Sequence, residues 1–311
     1  MKILVTGGAG FIGSHVVDGF VEAGHEVIVV DDLSCGNINN VNKKAKFYLL
    51  DINSPLIENI FKIERPDIVN HHAAQISVPY SVKDPIYDAN INVLGFLNVL
   101  ENSVKYNVKK VIFISSGGAI YGEADEYPTT ENYMPKPISP YAITKLVSEN
   151  YLYYYHNQYN LNYTVLRYSN VFGPRQVPHG EAGVVSIFIE KLLNNETPVI
   201  YAYDDEPEGM TRDYVYVKDV AKANLLALNK GNLEALNIST NKEVDTTKLL
   251  SCISKVMNKG IKPDKSKNRP GDLKHSCLSN EKSKNILGWN VEYDLEKGIK
   301  ETVDYFKNIA K

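Results

Sequence analysis

The chain has 311 residues, of which 43% are hydrophobic and 23% are charged, and its formal net charge is -3. This composition excludes a disordered or fibrous protein, and the length predicts one large or two interlocked domains. Charges of both signs are interspersed, so the sequence offers no basic face to nucleic acid, and no apolar stretch approaches the about 20 residues that a membrane helix needs.

Up to about residue 170, short β-branched runs alternate with longer stretches of helical period, which predicts parallel βαβ winding. Most of the runs are apolar on both faces, as expected of strands buried in a parallel sheet. The predicted strands are Lys2–Thr6, Glu26–Asp31, Ala45–Leu50, Asp67–His71, Lys110–Ser115 and Tyr163–Tyr168. The predicted helices between them are Phe11–Ala23, Ser54–Ile63, Asp88–Tyr106 and Tyr141–Tyr159. We therefore expect an α/β fold with a doubly wound, six-stranded parallel sheet of the Rossmann type.

Beyond Phe172, proline and glycine interrupt the alternation. Helices are predicted at Val184–Asn194, Val217–Asn229, Asp245–Met257 and Asn280–Leu287. We expect residues 1–170 to form one domain, to which residues 213–240 return, and residues 171–311 to form mainly a smaller α/β domain that walls a ligand cleft.

The first strand runs into the glycine-rich sequence TGGAGFIG, where the first helix begins. Glycines spaced as Gly7, Gly10 and Gly13 let the backbone turn tightly and approach a pyrophosphate at the helix N-terminus. Asp31 follows roughly eighteen residues later, at the end of the second strand, where a carboxylate can accept hydrogen bonds from ribose hydroxyls. Asp32 lies beside it, and no Arg or Lys follows before Lys43, so a 2′-phosphate would be repelled. The motif therefore predicts a dinucleotide site that favours NAD over NADP.

Two groups of polar residues are candidates for chemistry at this site. Tyr141 and Lys145 share one face of a predicted helix, and an ammonium beside a phenol lowers the pKa of the phenol from about 10. Ser115 and Ser116 end the predicted fifth strand, and hydroxyls at the carboxyl end of a parallel strand face the ligand crevice. We expect Tyr141 to act as a base and one of the two serines to hold the substrate hydroxyl. The alternatives are a surface Tyr/Lys pair and a simple strand-ending turn.

Eight segments, in order along nearly the whole chain, resemble the UDP-glucose 4-epimerases, especially their bacterial and archaeal branch. They are TGGAGFIGSH, HHAAQISV, SSGGAIYGE, SPYAITK, LRYSNVFGPRQ, GEAGVV, RDYVYVKDV and RPGDLKHS. The resemblance implies an extended short-chain dehydrogenase/reductase fold, tightly held NAD, a catalytic Ser/Thr–Tyr–Lys group and a homodimer. Tyr141 and Lys145 match the base and its partner. The position that carries the hydroxyl in many relatives is Gly117 here, so Ser116 is the candidate substitute, with Ser115 behind it.

The resemblance also implies the ligand contacts. Those to the cofactor are Gly7, Gly10, Phe11, Ile12, Gly13, Asp31, Asp51, Ile52, Ala73, Ala74 and Asn92, together with Asp32, Tyr141 and Lys145 from the motifs above. Those to the nucleotide sugar are Asn170, Val185, Arg212, Tyr214, Arg269 and Asp272. A guanidinium fork matches a diphosphate, although a structural ion pair is the alternative for each arginine.

Two features depart from the family pattern. The segment YAYDDEPEGMTRD is longer than the usual turn before TRD. Ser276 stands where relatives limited to UDP-glucose and UDP-galactose often carry tyrosine, and a small side chain there leaves room for a 2-acetamido group. The aromatic run Tyr151–Tyr155 is expected to lie in the core or at a dimer interface.

The sequence thus predicts an NAD-dependent UDP-hexose 4-epimerase that acts on UDP-glucose and UDP-galactose through a transient 4-keto sugar, with UDP-GlcNAc and UDP-GalNAc as further candidate substrates. The alternatives are another nucleotide-sugar epimerase or decarboxylase, for example one acting on UDP-glucuronate, and a non-catalytic NAD-binding sensor. A 4,6-dehydratase is disfavoured because Gly118 and Ala119 stand where dehydratases carry an acid and a base. Cys35, Cys252 and Cys277 show no zinc or disulfide spacing, so we expect no metal site and a cytoplasmic location. The charge pattern and the short apolar runs predict no nucleic-acid or membrane partner, and the family resemblance implies a homodimer.

Overall fold

The computed structural model describes residues 1–178, 183–260, 262–268 and 273–309. Its strands are, in chain order, β1 Lys2–Thr6, β2 Glu26–Asp31, β3 Lys46–Leu49, β4 Ile68–His71, β5 Lys110–Ser116, β6 Asn162–Tyr168, β7 Asn170–Phe172, β8 Val199–Ala202, β9 Thr211–Arg212, β10 Tyr214–Tyr216, β11 Glu234–Ile238, β12 Val244–Asp245, β13 Asp264–Lys267 and β14 His275–Ser276. Its α-helices are α1 Phe11–Glu22, α2 Ile57–Glu64, α3 Val78–Lys83, α4 Pro85–Ala89, α5 Phe96–Lys105, α6 Gly117–Ile120, α7 Pro140–Tyr159, α8 Val184–Leu193, α9 Val217–Ala227, α10 Thr246–Met257, α11 Glu281–Leu287 and α12 Leu295–Ile309.

The main sheet has seven strands in the order β11-β6-β5-β4-β1-β2-β3, and all neighbours are parallel. Because strand side chains alternate between faces, Ile3 and Val5 pack into one apolar layer while Leu4 packs into the other. Helices cover both faces, as the pattern of two-sided burial requires. The doubly wound α/β prediction is confirmed.

The prediction of six strands is wrong by one, because β11 pairs with β6 as the seventh strand. Its sequence, EALNI, begins with residues that are poor strand formers, and it lies at the edge of the sheet with only its last three residues buried. No continuous apolar run therefore marked it.

Two predicted helices begin three residues away from the observed start, whereas the other predicted helices begin within one residue of it. The helix predicted at Asp88–Tyr106 is interrupted: α4 starts at Pro85, capped by Asp84, and continues through a π-helical turn at Asn90–Gly95 into α5. The helix predicted from Ser54 begins at Ile57, after a turn in which the Ile57 N–H donates to the Ser54 carbonyl. Asn92 lies in the π-helical turn and is buried, with its amide donating to Asp88 and Thr144.

A third apolar core lies outside the main sheet and is formed largely by α8, α10 and α12. Small sheets join it to the cleft, including the parallel pair β7-β10 and the three-stranded sheet β12-β9-β14. In these sheets Asn170 lies opposite Tyr214, and Ser276 lies opposite Arg212. Within the described ranges, no helix is long and apolar enough to cross a membrane.

Candidate active site

The glycine-rich turn after β1 makes a cradle with no room for side chains. Gly7 has φ +69° and its N–H donates to the Val30 carbonyl at 2.8 Å. A Cβ on Gly7 would lie 2.6 Å from the Ala73 nitrogen, and a Cβ on Gly13 would lie 2.2 Å from the Gly7 oxygen. Among the described residues, no side chain caps the N-terminus of α1, which follows Gly10. The turn therefore presents bare backbone and a helix N-terminus, which is the arrangement that accepts a pyrophosphate.

A cavity of about 380 Å³ extends from this turn along the carboxyl ends of β2 and β4. Asp31 lies on its wall, buried, and its carboxylate accepts hydrogen bonds from the N–H groups of Ala9 and Leu33, each at 2.9 Å. Burial raises the pKa of Asp31 in spite of these two bonds. Asp32 lies at the solvent edge, where it accepts from Ser34. The other predicted cofactor residues on this wall are Asp51, Ile52, Ala73 and Ala74.

A second cavity, of about 340 Å³, continues from the first, and both are lined by Gly7, Gly10, His72, Ala74 and Ile76. The His72 Nε2 is buried and has no hydrogen-bond partner in the described part of the chain, so it is a polar atom that a ligand in the cleft can satisfy. The predicted residues that line the second cavity are Phe11, Ile12, Gly13, Ser115, Ser116, Tyr141, Lys145, Asn170, Val185, Arg212 and Tyr214. A dinucleotide that spans both cavities fits these features, which are the glycine turn without side chains, the buried Asp31 and the unpaired Nε2 of His72.

Tyr141 and Lys145 lie on the first turns of α7, which starts at Pro140 because Ser139 caps it by accepting from the Ala142 N–H at 3.2 Å. The Lys145 Nζ lies 5.8 Å from the centroid of the Tyr141 ring. It donates to the Ile114 carbonyl at 3.0 Å, at the end of β5. Burial lowers the pKa of Lys145 to about 8, against the opposing effects of Asp88 and Glu149.

The two serines at the end of β5 differ in what they contact. Ser115 is buried and donates to the Glu149 Oε1 at 2.6 Å, and Glu149 in turn is ion-paired with Arg167 at 2.6 Å. Ser116 is partly exposed on the cavity wall, and its hydroxyl has no hydrogen-bond partner among the described residues. Ser116 is therefore the hydroxyl available to a substrate.

Gly117 and Gly118 face in different directions. A Cβ on Gly117 would lie 2.4 Å from the Leu278 Cδ1, so a hydroxyl residue does not fit there unless Leu278 moves. A Cβ on Gly118 would lie 3.6 Å from the Asn170 Oδ1 and 3.8 Å from the Ser276 Oγ, which is ordinary contact distance. Gly118 lines the cavity, so Ser276 lies beside the part of the cleft that Asn170 and Gly118 enclose.

Arg212 holds the segment before Ser276. Its guanidinium donates to the carbonyls of Thr211 at 2.8 Å, Leu273 at 2.7 Å and Lys274 at 3.2 Å, which are backbone oxygens and not a carboxylate. The loop at 201–211 is tied to the same segment, because the Lys274 Nζ bonds Asp205 at 2.6 Å. Arg269 and Asp272, also predicted to bind the nucleotide sugar, lie outside the described residues.

Asn92 lies behind the cofactor loop and lines neither cavity. Its side chain accepts from the Gln75 N–H at 2.8 Å and donates to the Asp88 Oδ1 at 3.0 Å. A direct contact of Asn92 with cofactor therefore stays a prediction. In the sequence, His72 lies in the cofactor-loop segment HHAAQISV, and its position directly after a buried strand is that of a residue facing the crevice. Neither Asp88 nor Gln75 was identified from the sequence as part of the site.

Comparison with known proteins agrees with this geometry. Residues 3–239 match the model of the NAD dependent epimerase/dehydratase family. The chain is 40% identical to the UDP-glucose 4-epimerase of Mycolicibacterium smegmatis, with 99% of each chain covered. The structure of Thermotoga maritima UDP-glucose 4-epimerase with UDP-glucose is similar with a TM-score of 0.97, at 49% identity and with 100% of each chain covered. A second similar structure is that of the UDP-N-acetylglucosamine 4-epimerase from Methanobrevibacter ruminantium M1 in complex with UDP-N-acetylmuramic acid. Its TM-score is 0.92 at 36% identity, and the match covers 99% of this chain and 98% of the Methanobrevibacter chain.

Proposed function

Since the chain belongs to the NAD-dependent epimerase/dehydratase family, we propose that it is an NAD-dependent UDP-hexose 4-epimerase. It interconverts UDP-glucose and UDP-galactose through a transient 4-keto sugar. One observation carries the proposal: a single cleft joins the dinucleotide cradle to Tyr141, Lys145 and Ser116, and then to Arg212. Relatives that match over nearly their whole length and are named UDP-glucose 4-epimerase support it.

NAD, when bound, supplies the acceptor for the hydride of C4 and returns that hydride to the ketone. Tyr141 takes the proton of the C4 hydroxyl and later gives it back, which is general acid–base catalysis. Lys145, buried one helical turn away, stabilises the phenolate by its charge. Ser116 hydrogen-bonds the same sugar oxygen. The alternative hydroxyl, that of Ser115, is already bonded to Glu149.

Inversion requires the ketone to present its other face, so the sugar must turn while the diphosphate stays bound. Arg212, which lines the same cavity, is the proposed anchor, because the N–H groups of its guanidinium that do not hold backbone carbonyls can donate to diphosphate oxygens. Around the sugar, Gly118 and Ala119 contribute no bulk, so rotation is not blocked. They also offer no acid or base, which disfavours elimination of water and supports epimerisation over dehydration.

We further propose that UDP-GlcNAc and UDP-GalNAc are accepted. Ser276 is buried beside Gly118 and Asn170, and its small side chain leaves space where a 2-acetamido group would lie. The similarity to a UDP-N-acetylglucosamine 4-epimerase supports the same substrate class.

We propose that the protein is a homodimer that pairs through α7 and the π-helical turn at Asn90–Gly95. The aromatic run at 151–155 is divided: Leu152 and Tyr155 are in the core, whereas Tyr153 and Tyr154 are exposed. Leu94, on the neighbouring segment, is 55% exposed. Exposed apolar side chains on adjacent helices are typical of an interface.

Two further predictions are kept as proposals. Residues 1–170, with 213–240, form the NAD-binding domain, and 171–311 form mainly the substrate-binding domain; the pairing of β11 with β6 supports this division. A cytoplasmic location is supported by the cysteines, since none of the three, all of which lie in described ranges, forms a disulfide.

The test is incubation of the purified protein, without added cofactor, with UDP-glucose and separately with UDP-GlcNAc, followed by proton NMR. Appearance of the galacto epimer is expected with wild type but not with Tyr141→Phe, which keeps the ring and removes the base. If neither sugar changes after NAD is supplied, the proposal is wrong for these substrates. UDP-glucuronate then becomes the next substrate to test, and NAD binding without any turnover would indicate a sensor.

A further inference from the structure

The Asp88 carboxylate lies in the interior, where it is hydrogen-bonded both to α7 and to Gln75 of the cofactor loop, which is the loop that follows β4. It is fully buried and accepts hydrogen bonds from the Thr144 Oγ1 at 2.8 Å, the Gln75 Nε2 at 2.6 Å and the Asn92 Nδ2 at 3.0 Å. All three donors are neutral. Within the described ranges, no Lys or Arg forms an ion pair with it. A buried carboxylate without a compensating positive charge is costly, so its position calls for a physical reason.

The buried cation of this region is Lys145, the residue that follows Thr144. The Lys145 Nζ is bonded to a neutral carbonyl, that of Ile114. Glu149, the other acid near Lys145, is already neutralised by its ion pair with Arg167. Asp88 accepts a hydrogen bond from Thr144, the chain neighbour of Lys145 on α7, so two buried groups of opposite charge lie at the same turn of this helix. In a low-dielectric interior the attraction between opposite charges is stronger than in water.

Other groups around Lys145 do not replace Asp88. They are Tyr141 and Glu149 on α7, His71 and His72 at the end of β4, and Arg167 on β6 behind Glu149. Burial holds the pKa of both histidines well below its usual range, so they are neutral. Of the acids near Lys145, Asp88 has the largest raising effect on its pKa.

Resting on the proposed function, we propose that Asp88 is a positioning residue that supplies the counter-charge of the active site. It keeps Lys145 as an ammonium ion and favours the oxidised, positively charged nicotinamide over the reduced, neutral one. Its hydrogen bond to Gln75, directly after Ala74 of the cofactor loop, fixes that loop to the catalytic helix at the same time.

The test compares Asp88→Asn, which removes the charge and keeps the shape, with Thr144→Val, which removes one hydrogen bond and keeps the charge. In Asp88→Asn the basic limb of the kcat profile is expected to move to lower pH by roughly half a unit to one unit, because Lys145 loses its proton earlier. The ratio of the affinities for NAD⁺ and NADH is expected to fall several-fold in the same variant. In Thr144→Val both quantities stay at their wild-type values, whatever the rate.

A lower rate in Asp88→Asn with an unmoved basic limb and an unchanged affinity ratio overturns the proposal and leaves Asp88 with a structural role. Absence of turnover in wild type contradicts the proposed function instead, since the affinity ratio can still be measured by calorimetry. If Asp88→Asn does not fold, NMR titration of the Lys145 Nζ in wild-type holoenzyme decides: a lysine that is neutral at neutral pH refutes the counter-charge.

Discussion

Substitution of the two neighbouring serines at the end of β5 is expected to separate catalysis from stability. Ser116→Ala should lower kcat for C4 inversion by about 10²–10³-fold, the usual cost of removing one donor that acts on a developing oxyanion. Because the Ser116 hydroxyl has no partner within the described part of the chain, the free energy of unfolding should change by less than about 0.5 kcal/mol.

Ser115→Ala should show the opposite pattern. This serine is 2% exposed and donates to the Glu149 carboxylate at 2.6 Å. Loss of a hydrogen bond to a charged group lowers the free energy of unfolding by about 1.5–3 kcal/mol, while kcat should change far less than in Ser116→Ala. Initial rates by NMR and urea denaturation of both variants provide the comparison. If Ser115→Ala abolishes inversion and Ser116→Ala does not, the assignment from hydrogen-bond partners is refuted.

Three other substitutions test separate parts of the site. Ser276→Tyr should overpack the space beside Gly118 and raise the activation free energy for UDP-GlcNAc by about 1.4–3 kcal/mol, which lowers kcat/KM for that sugar by roughly 10–150-fold. The kcat/KM for UDP-glucose should change little, and equal losses for both sugars would contradict the prediction. Gly13→Ala should destabilise the protein by more than about 1 kcal/mol and abolish NAD retention, because the new Cβ would lie 2.2 Å from the Gly7 oxygen. Thermal melting measures the loss of stability, and the absorbance spectrum of the purified protein measures the NAD that it retains. Leu94→Glu should halve the mass measured by light scattering if α7 and the π-helical turn at Asn90–Gly95 form the dimer interface. An unchanged dimer mass would exclude that interface.

The sequence predicted the elements whose signal is local. β1 and β2 match the prediction residue for residue, because burial on both faces produces uninterrupted apolar runs. α7 was predicted to within one residue, and its cap at Ser139 is a local feature as well. The meeting of Gly7, Ser116 and Tyr141 in one cleft follows from the rule that the carboxyl ends of parallel strands share an edge.

Other features depend on contacts between distant residues. The burial of Asp88 depends on Thr144, which is 56 positions away, so no local pattern marks it. Ser115 and Ser116 read alike in the sequence, and only Glu149 distinguishes them. Helix α12 is different, because Ile299, Val303 and Phe306 have the spacing of one buried helical face and could have been recognised.

The space around Gly118 bears on which reactions this fold can support. A Cβ there would meet only ordinary neighbours, and Gly118 is not among the glycines with positive φ, so the backbone does not demand glycine. One substitution to aspartate would place a proton donor beside the sugar without repacking the interior. Such a change would leave the fold, the cofactor cradle and the base unaltered, so the side chains at positions 118 and 119 decide which proton transfers the cleft supports.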